Sequence, residues 1–285
     1  MKIGFYTPAQ GVTEDCFGCA SAGFTGQWDP LVQSFQALPY DLEGDLVWGS
    51  YAHCLENIPE KEYQAAIVLL GNAGGENSFV EQLAKKVKAP LVGGGAAMHP
   101  VTGQAALLTG QQQAAVFLIR DPRFTFEVCC ENIHHTILSE HRIGFTDPRQ
   151  MDTVDGVDAA KWLARKKAEF DLAEGDFEHL TFSDLDGINA HLSMPEEKIR
   201  SGRDLQPKML LRYVSQDLVR ERMARFYDDP YAIIFGCAGL KGLLHLPLES
   251  PGLGLFLYGE VCTAGGVSQF GNLMLSKLRI LPKGL

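Results

Sequence analysis

Two stretches of the chain, one in each half, repeat the same order of segments. In both, an apolar run is followed by a small polar break, a connecting segment, a second apolar run, a Gly-rich loop and a third run. The first copy contains AAIVLL and PLVGGGAAM, and the second contains YAIIFGCA, LGLFLYGE and NLMLSKLRI. The copies agree in pattern more than in identity, which indicates an internal duplication. The duplication predicts two similar sheet halves whose Gly-rich strand ends open on a shared or paired cleft.

The segments of the first half predict a mixed α/β fold. AAIVLL is a continuous apolar run, typical of a strand covered on both faces, and ENSFVEQLAKKVKAP has the pattern of an amphipathic helix. QAALLTG, AAVFLIR and FTFEVCCENI alternate or run apolar like the strands of an antiparallel meander. We therefore expect mostly antiparallel sheets whose faces are covered by helices.

The second half begins with an acidic segment between two helical patterns. From Asp171 to Asp204 there are nine Asp or Glu residues against three Lys or Arg residues, which is typical of a connector or a solvated face. Helices are predicted over GVDAAKWLARKKAEF before it and LLRYVSQDLVRERMARFYDD after it. The predicted division is an N-terminal half over 1–150, with the first 60 residues unassigned, and linker helices plus a C-terminal half over 151–285.

Composition limits the classes of partner. The net charge is -10 without a basic stripe, which disfavours nucleic-acid binding. No apolar stretch approaches the roughly 20 residues that a membrane-spanning helix needs. Seven cysteines, an odd number, and the absence of an Asn-x-Ser/Thr acceptor favour a reducing, cytoplasmic setting.

Two side chains at predicted strand ends have the chemistry of a site. Glu260 could accept hydrogen bonds from a ligand amine or act as a general base. The alternatives are a solvent-facing residue that closes a hairpin and a residue that receives backbone N–H groups in its own loop. Tyr258 and Gly259, which precede it, are further candidates for ligand contact. Cys237 ends another apolar run and is either a nucleophile activated by a neighbour such as Lys241 or a small buried hydrophobe.

Two Gly-rich loops could bind an acidic group of a ligand through backbone N–H groups. GNAGGENS, with Asn72 and Gly74, precedes a predicted helix and predicts an anion site at its N-terminus, although the loop could also only turn the chain. GGGAAMHP, with Gly94, Gly95 and His99, lacks the third glycine and the helix of a dinucleotide-binding loop. We expect it to form a backbone-lined pocket floor, with His99 as a hydrogen-bonding group.

The remaining polar patterns predict little further chemistry. Cys16 and Cys19 have metal-ligand spacing, but a zinc site needs a second pair of ligands. The group around Cys129 and Cys130 could supply that pair, but nothing in the spacing of these residues requires it. We expect no metal ion and no cofactor. Arg212, placed by its pattern on a basic helix, is the arginine chosen to bind a ligand carboxylate in two-point fashion.

The motif residues at the strand ends resemble those of FIST domains. The segment AIIFGCAG…LGLFLYGEVCTAGGVSQFGNLMLSKLRI is similar to the C-terminal half of that family, in which a strand ends in Cys and a Gly-Glu pair precedes a Gly-containing loop. Cys237, Gly259, Glu260 and Asn272 match the family's motif positions, and Lys241 stands where the family usually has Arg. AAIVLL…APLVGGGAAMH looks like the N-terminal half, and the resemblance covers residues 64–285.

The resemblance implies an intracellular module that senses a small molecule. FIST domains are regarded as ligand-sensing modules of signal transduction, with amino acids or similar molecules suggested as ligands. We therefore expect a small-molecule ligand, a signalling partner and no catalysis. Two alternatives stay open: an enzyme that uses Cys237 or Glu260 on an amide or amino-acid derivative, and an interaction module without a ligand.

Overall fold

The structure is a computed structural model that describes part of the chain. The described residues are 6–7, 11–12, 42–71, 74–95, 113–172, 179–190, 192–193, 198–201, 204–229, 231–237, 253–257, 259–264, 266–271 and 274–284. Within them, no helix is both long and apolar enough to cross a membrane.

Four helices lie in this part of the chain, and three of them begin at a residue whose side chain accepts a hydrogen bond from the first turn. The helices are α1 (Tyr51–Asn57), α2 (Glu76–Val87), α3 (Ala159–Glu169) and α4 (Gln216–Tyr227). Ser50, Asp158 and Ser215 cap α1, α3 and α4, respectively. Helix α2 starts instead after Gly75, which has a left-handed backbone conformation.

The strands are mostly short and are grouped in five sheets. In chain order they are β1 (Tyr6–Thr7), β2 (Gly11–Val12), β3 (Gly44–Gly49), β4 (Ala65–Leu70), β5 (Leu91–Gly95), β6 (Ala114–Ile119), β7 (Phe124–Asn132), β8 (Thr136–Gly144), β9 (Gln150–Met151), β10 (Thr153–Val154), β11 (Val157–Asp158), β12 (Leu180–Ser183), β13 (Asn189–Ala190), β14 (Leu192–Ser193), β15 (Ile199–Ser201), β16 (Lys208–Tyr213), β17 (Ala232–Cys237), β18 (Leu253–Leu257), β19 (Glu260–Ala264), β20 (Val267–Gly271) and β21 (Met274–Pro282). Strands β1 and β2 pair only with each other.

Two of the sheets pack face to face and form the main core. Sheet A has the order β20-β19-β5-β4-β6-β3, and sheet B has the order β18-β17-β21-β7. Between them lie apolar side chains from both sheets, among them Ile67, Leu69, Val92, Phe235 and Leu278. Because β4 has apolar residues on both faces, it also forms a second cluster with α1 and α2 on the outer face of sheet A.

Helix α4 covers the outer face of sheet B through polar contacts. Arg222 of α4 forms an ion pair of 2.5 Å with Glu131 of β7. The Lys277 ammonium of β21 lies 4.6 Å from the ring centroid of Phe226. The layer order is therefore helices, sheet A, sheet B, helix, which confirms the predicted α/β class with helices on the sheet faces.

The two copies of the sequence repeat have the same topology. In the first, β4 is central, parallel to β5 and antiparallel to β6. In the second, β17 is central, parallel to β18 and antiparallel to β21. The copies are interleaved, however, because β19 of the second copy pairs with β5 and so extends the sheet of the first.

A third sheet and a short fourth one are built from the middle of the chain. Sheet C has the order β11-β10-β8-β16-β12-β13, and sheet D has the order β14-β15-β9. Helix α3 packs on sheet C through Trp162, which is buried with Phe182 and Met209. The acidic segment was predicted as a connector or solvated face, but it supplies β12–β15, with Leu180 and Phe182 almost fully buried.

The helix predicted over LLRYVSQDLVRERMARFYDD is wrong in its first part. Residues 208–213 form β16, in which Met209 and Leu211 are buried and alternate with less buried neighbours. This period of two suits a strand, and β16 pairs on both sides, with β8 and β12. The helix begins only after Ser215, whose side chain accepts from the Leu218 N–H.

Candidate functional site

Glu260 lies at the start of β19, where the two halves of the chain meet. Its cross-strand neighbours are glycines on both sides, Gly94 of β5 and Gly271 of β20. Cys262 lies two residues further along β19 and forms a disulfide with Cys130 of sheet B. Because alternate residues of a strand share a face, the Glu260 side chain lies on the face of sheet A that looks toward sheet B.

The Glu260 carboxyl group is fully buried and only half satisfied. Its Oε2 accepts a hydrogen bond from the Met274 N–H at 3.2 Å, whereas its Oε1 has no hydrogen-bond partner among the described residues. Loss of water raises the pKa of Glu260 well above its ordinary value, and the Met274 N–H opposes this only in part. Glu260 is therefore not a solvent-facing hairpin residue, one of its two alternatives, and it does receive a backbone N–H, as the other alternative has it.

Gly259 is required by the packing beside this carboxyl group. Its φ is +87°, and a Cβ added there would lie 2.4 Å from the Phe270 ring and 3.1 Å from the Gly271 carbonyl oxygen. The Gly259 carbonyl oxygen also accepts from the Gly95 N–H at 2.8 Å. The glycine lets the chain turn tightly into β19 and so positions Glu260 at the inner face.

A polar cluster continues from the group that binds Glu260. Met274 is the register partner of Asn132, the last residue of β7. The Asn132 amide donates to Asn189 Oδ1 at 2.9 Å and accepts from the His134 N–H at 2.8 Å. His134 and Asn189 are fully buried. Asn132, paired with Met274 in the sheet, is thus hydrogen-bonded to both Asn189 and His134.

Arg212 joins the same cluster from β16. Its Nε donates to Ser183 Oγ at 2.6 Å, and its Nη1 donates to the His134 carbonyl oxygen at 3.1 Å. Its Nη2 lies beside Gly187, where an added Cβ would be 3.4 Å away. Burial lowers the pKa of Arg212, and the nearby Asp184 charge acts in the opposite direction. Arg212 is thus a half-buried cation on a strand, not on the predicted helix.

A cavity of about 1050 Å³ opens next to this cluster. It lies between α2, β20 and the turn that follows β12. The lining residues are Asn77, Glu81, Ala84, Lys85, Asp184, Leu185, Asp186, Ile188, Asp204, Gln206, Pro207, Lys208, Gly266, Val267, Ser268 and Gln269. Ile188 lines the cavity and also approaches Gly271, since a Cβ on Gly271 would lie 2.8 Å from Ile188 Cγ2. The cavity wall thus touches the cross-strand neighbour of Glu260.

In the two predicted anion-binding loops, the N–H groups of Gly74 and Gly95 donate hydrogen bonds to acceptors within the protein. The Gly74 N–H donates to Glu76 Oε1 at 2.6 Å, so a carboxylate of the protein lies where a ligand anion was expected. The Gly95 N–H is bonded to the Gly259 carbonyl oxygen, and Gly94 is buried in the ladder opposite Glu260. The acceptor of the Gly74 N–H is the first residue of α2, whereas that of the Gly95 N–H is the residue before β19, the neighbour of β5.

Several predicted site residues lie outside the described residues. They are Asn72, His99, Lys241, Tyr258 and Asn272. For Cys237 the structure describes its place at the end of β17, directly opposite Leu257 of β18, but not its side chain.

The cysteine pattern gave no sign of the disulfide that joins the two main sheets. Cys130 and Cys262 are 132 residues apart in sequence, and their Cα atoms lie 6.0 Å apart. Cys129, the adjacent residue, carries a free thiol. Among the described residues no group of His, Cys, Asp and Glu could hold a metal ion. The disulfide therefore removes Cys130 from the zinc alternative.

Sequence reasoning also missed Asn132, His134 and Asn189. For Asn132 and His134 the signal is the polar ending ENIHH of an otherwise strand-like run, which could not be placed beside Glu260 without the sheet register. Asn189 lies in the separate segment DGINAH, which carries no such signal. No protein-family model matches the chain, and no curated protein proved similar to it. The likeness to FIST domains therefore rests on the motif residues and stays a prediction.

Proposed function

We propose that the protein binds a small molecule with an amine group and acts as a sensor of the FIST type. The observation that carries this proposal is the fully buried Glu260, whose Oε1 has no partner among the described residues. A buried polar atom without a partner costs about 1–3 kcal/mol. An ammonium or amine donor of a ligand would remove that cost, so a ligand accounts for the unpaired Oε1 of the unbound protein.

The polar cluster supports an amino acid or a related zwitterion as the ligand. Glu260 would bind the amine, and the Nη2 of Arg212, at the other end of the cluster, would bind the carboxylate. Asn132 and Asn189 lie along the hydrogen-bonded path between the two charges. Amide groups both donate and accept, so they suit the polar middle of such a ligand. The resemblance to FIST domains favours the same class of ligand.

The cavity supports a ligand over an interaction module with a closed surface. Its volume of about 1050 Å³ is at the upper end of the range for small-molecule sites. Four carboxylates and two ammonium groups of its lining favour a cationic or zwitterionic molecule. Because Ile188 lines it and packs on Gly271, a shift of the turn at 184–188 would extend the cavity toward Glu260.

The signalling role and the cytoplasmic location belong to the same proposal. The signalling role rests on the FIST-like motif residues, and the location rests on the odd cysteine count and the absence of an Asn-x-Ser/Thr acceptor. The Cys130–Cys262 disulfide counts against the location, because such bonds are rare in reducing compartments.

The test is a thermal-shift screen of the wild type against amino acids, amines and carboxylates in separate sets. A ligand at about 100 times its Kd should stabilise the protein by roughly 2.7 kcal/mol. The shift should disappear in Glu260→Gln and remain in Glu56→Gln, a control at an exposed position of α1. Arg212→Gln should reduce the shift for zwitterions and leave that for simple amines. A screen without any shift, or a shift unchanged in Glu260→Gln, would refute the proposal.

A further inference from the structure

Sheet C carries a hydrogen-bonded series of serine, histidine and aspartate. Ser139 and His141 lie two residues apart on β8, on the same face, and Asp155 lies in the turn between β10 and β11. Ser139 Oγ is 2.6 Å from His141 Nε2, and His141 Nδ1 is 2.6 Å from Asp155 Oδ2. These are the contacts that a nucleophilic serine needs with its base, and the base with the carboxylate that orients it.

The chemistry of the three groups fixes the direction of both hydrogen bonds. Asp155 also accepts from the Arg142 N–H at 2.9 Å, and its pKa is lowered first by the hydrogen bond from His141. An ionised carboxylate only accepts, so His141 Nδ1 carries a proton. In the neutral imidazole, Nε2 is then the acceptor, and the Ser139 hydroxyl donates to it.

The imidazole is held in place by aromatic rings. The His141 ring centroid lies 4.8 Å from that of Trp162 and 6.0 Å from that of Phe182, both in edge-on geometry. The His141 side chain is only 11% exposed, whereas Asp155 is 47% exposed. The aromatic contacts therefore hold the base in one orientation, and Ser139, at the other end of the series from the exposed Asp155, is partly buried.

A β-bulge and an apolar surface lie next to the serine. The register passes from the Leu211–Ser139 pair to the Arg212–Ile137 pair, so Leu138 is an extra residue in β8. The extra residue of a bulge is left out of the ladder, which makes the Leu138 N–H a backbone donor beside Ser139. Ile137 and Leu138 are 54% and 36% exposed.

We propose that Ser139, His141 and Asp155 form a second site, in which Ser139 is a nucleophile toward esters with an apolar acyl group. Ser139 Oγ bonds to the acyl carbon while His141 Nε2 takes the hydroxyl proton, and the Leu138 N–H binds the oxyanion. The bond to the alcohol then breaks, and His141 gives the proton to the departing alcohol. Water then bonds to the acyl carbon as His141 Nε2 takes its proton, the bond from that carbon to Ser139 Oγ breaks, and His141 returns the proton to Oγ as the carboxylic acid leaves. Asp155 is a positioning residue, and Ile137 and Leu138 contact the acyl chain.

The proposal is tested with an alkyl fluorophosphonate, which reports an activated serine directly. Ser139 Oγ would bond to phosphorus as fluoride leaves and His141 takes the proton. We expect wild-type protein to carry one adduct, mapped to Ser139 by peptide mass spectrometry, and Ser139→Ala to carry none. Asp155→Asn should lower the labelling rate about a hundredfold, because the base loses its orientation.

The control is a serine with a polar partner but no base. Ser78 is exposed on α2, and its Oγ accepts a hydrogen bond from Gln82 Nε2 at 3.0 Å, so Ser78→Ala should label like the wild type. Melting curves of each variant show that it is folded before its rate is compared. Three results would overturn the proposal: no adduct on folded wild type, an adduct on another serine only, or an Asp155→Asn rate equal to that of the wild type.

Discussion

At the scale of the single residue, Glu260 is a buried acid with few hydrogen-bond donors among the described residues. A buried carboxylate usually accepts several N–H groups, but here the backbone N–H groups of Met274 and of Glu260 itself favour the charged form, and Oε1 has no partner among the described residues. The glycines at 94 and 271 have no side chain with which to bond it. Protonation is the cheapest way to keep such a group buried, which is why its pKa is raised.

The buried acid makes stability depend on pH in one direction. The unfolded-state pKa is about 4.3, and the folded-state pKa lies well above it. Between the two values the folded state binds more protons, so the free energy of unfolding falls as pH rises, by up to about 1.4 kcal/mol per pH unit. Glu260→Gln lacks this loss, so its stability relative to the wild type should grow from pH 4.5 upward.

Urea unfolding of both proteins at several pH values between 4.5 and 8 measures this difference. Glu56→Gln, at an exposed position of α1, serves as the control and should give a difference that changes little with pH. A Glu260→Gln difference that is flat across the range would contradict the buried, unpaired state of the acid.

The sequence alone could indicate Glu260 but not its surroundings. An acidic residue directly after an apolar run and a glycine is an unusual ending for a strand, and this local signal was enough. Asn132 and Asn189 come from distant strands, and their approach depends on the register of β7 with β21. Local patterns do not contain such register, because it is set by packing over the whole sheet.

At the scale of the element, β5 shows how glycines let strands approach. Gly93 has a φ of +135°, and a Cβ there would lie 1.9 Å from the Val68 carbonyl oxygen of β4. Strand β5 lies between β4 and β19, so this glycine sits where the two copies of the repeat are joined. The GGG run read as a pocket floor at the sequence level is thus buried strand backbone.

Gly93→Ala should destabilise the protein by more than about 3 kcal/mol, because backbone rather than a movable side chain occupies the place of the methyl group. Gly74→Ala is the control that measures the cost of the positive φ alone, without a steric clash of the added methyl group. Gly74 also has a positive φ, of +87°, but nothing lies within 4 Å of an added Cβ, so the expected loss is about 1–2 kcal/mol. Thermal unfolding of both variants measures the two values, and equal losses would mean that the close approach of β4 and β5 is incorrect.

The elements that sequence reasoning predicted well are those with a single strong period. AAIVLL and the helix of ENSFVEQLAKKV match β4 and α2. The helix prediction was wrong for the segment before α4, because Leu, Arg and Met are good helix formers although residues 208–213 form a strand. The short strands β12–β15 were missed because two to four residues are too few to show a period.

At the scale of the whole molecule, the Cys130–Cys262 disulfide ties sheet A to sheet B across a long loop. Because the two cysteines are separated by 132 positions in the sequence, the bond should stabilise the fold by about 2–4 kcal/mol. The double variant Cys130→Ala/Cys262→Ala should lose that much free energy of unfolding and should therefore melt at a lower temperature. Added reductant should lower the melting temperature of the wild type and leave the double variant unchanged.

Cys129→Ala is the matched control for this prediction. Cys129 is adjacent in sequence and carries a free thiol, so its variant should respond to reductant as the wild type does. A wild type whose melting temperature is the same with and without reductant would contradict the bond.

The interleaving of the two repeats has a consequence for synthesis on the ribosome. Strand β5 is made early, but its neighbour β19 follows only after Glu260 has been translated. At roughly 5–20 residues per second, this interval lasts on the order of ten seconds. During it, the nascent chain carries an open strand edge that other chains can pair with. We expect the newly made N-terminal half to be a client of ribosome-associated chaperones until its own C-terminal half arrives.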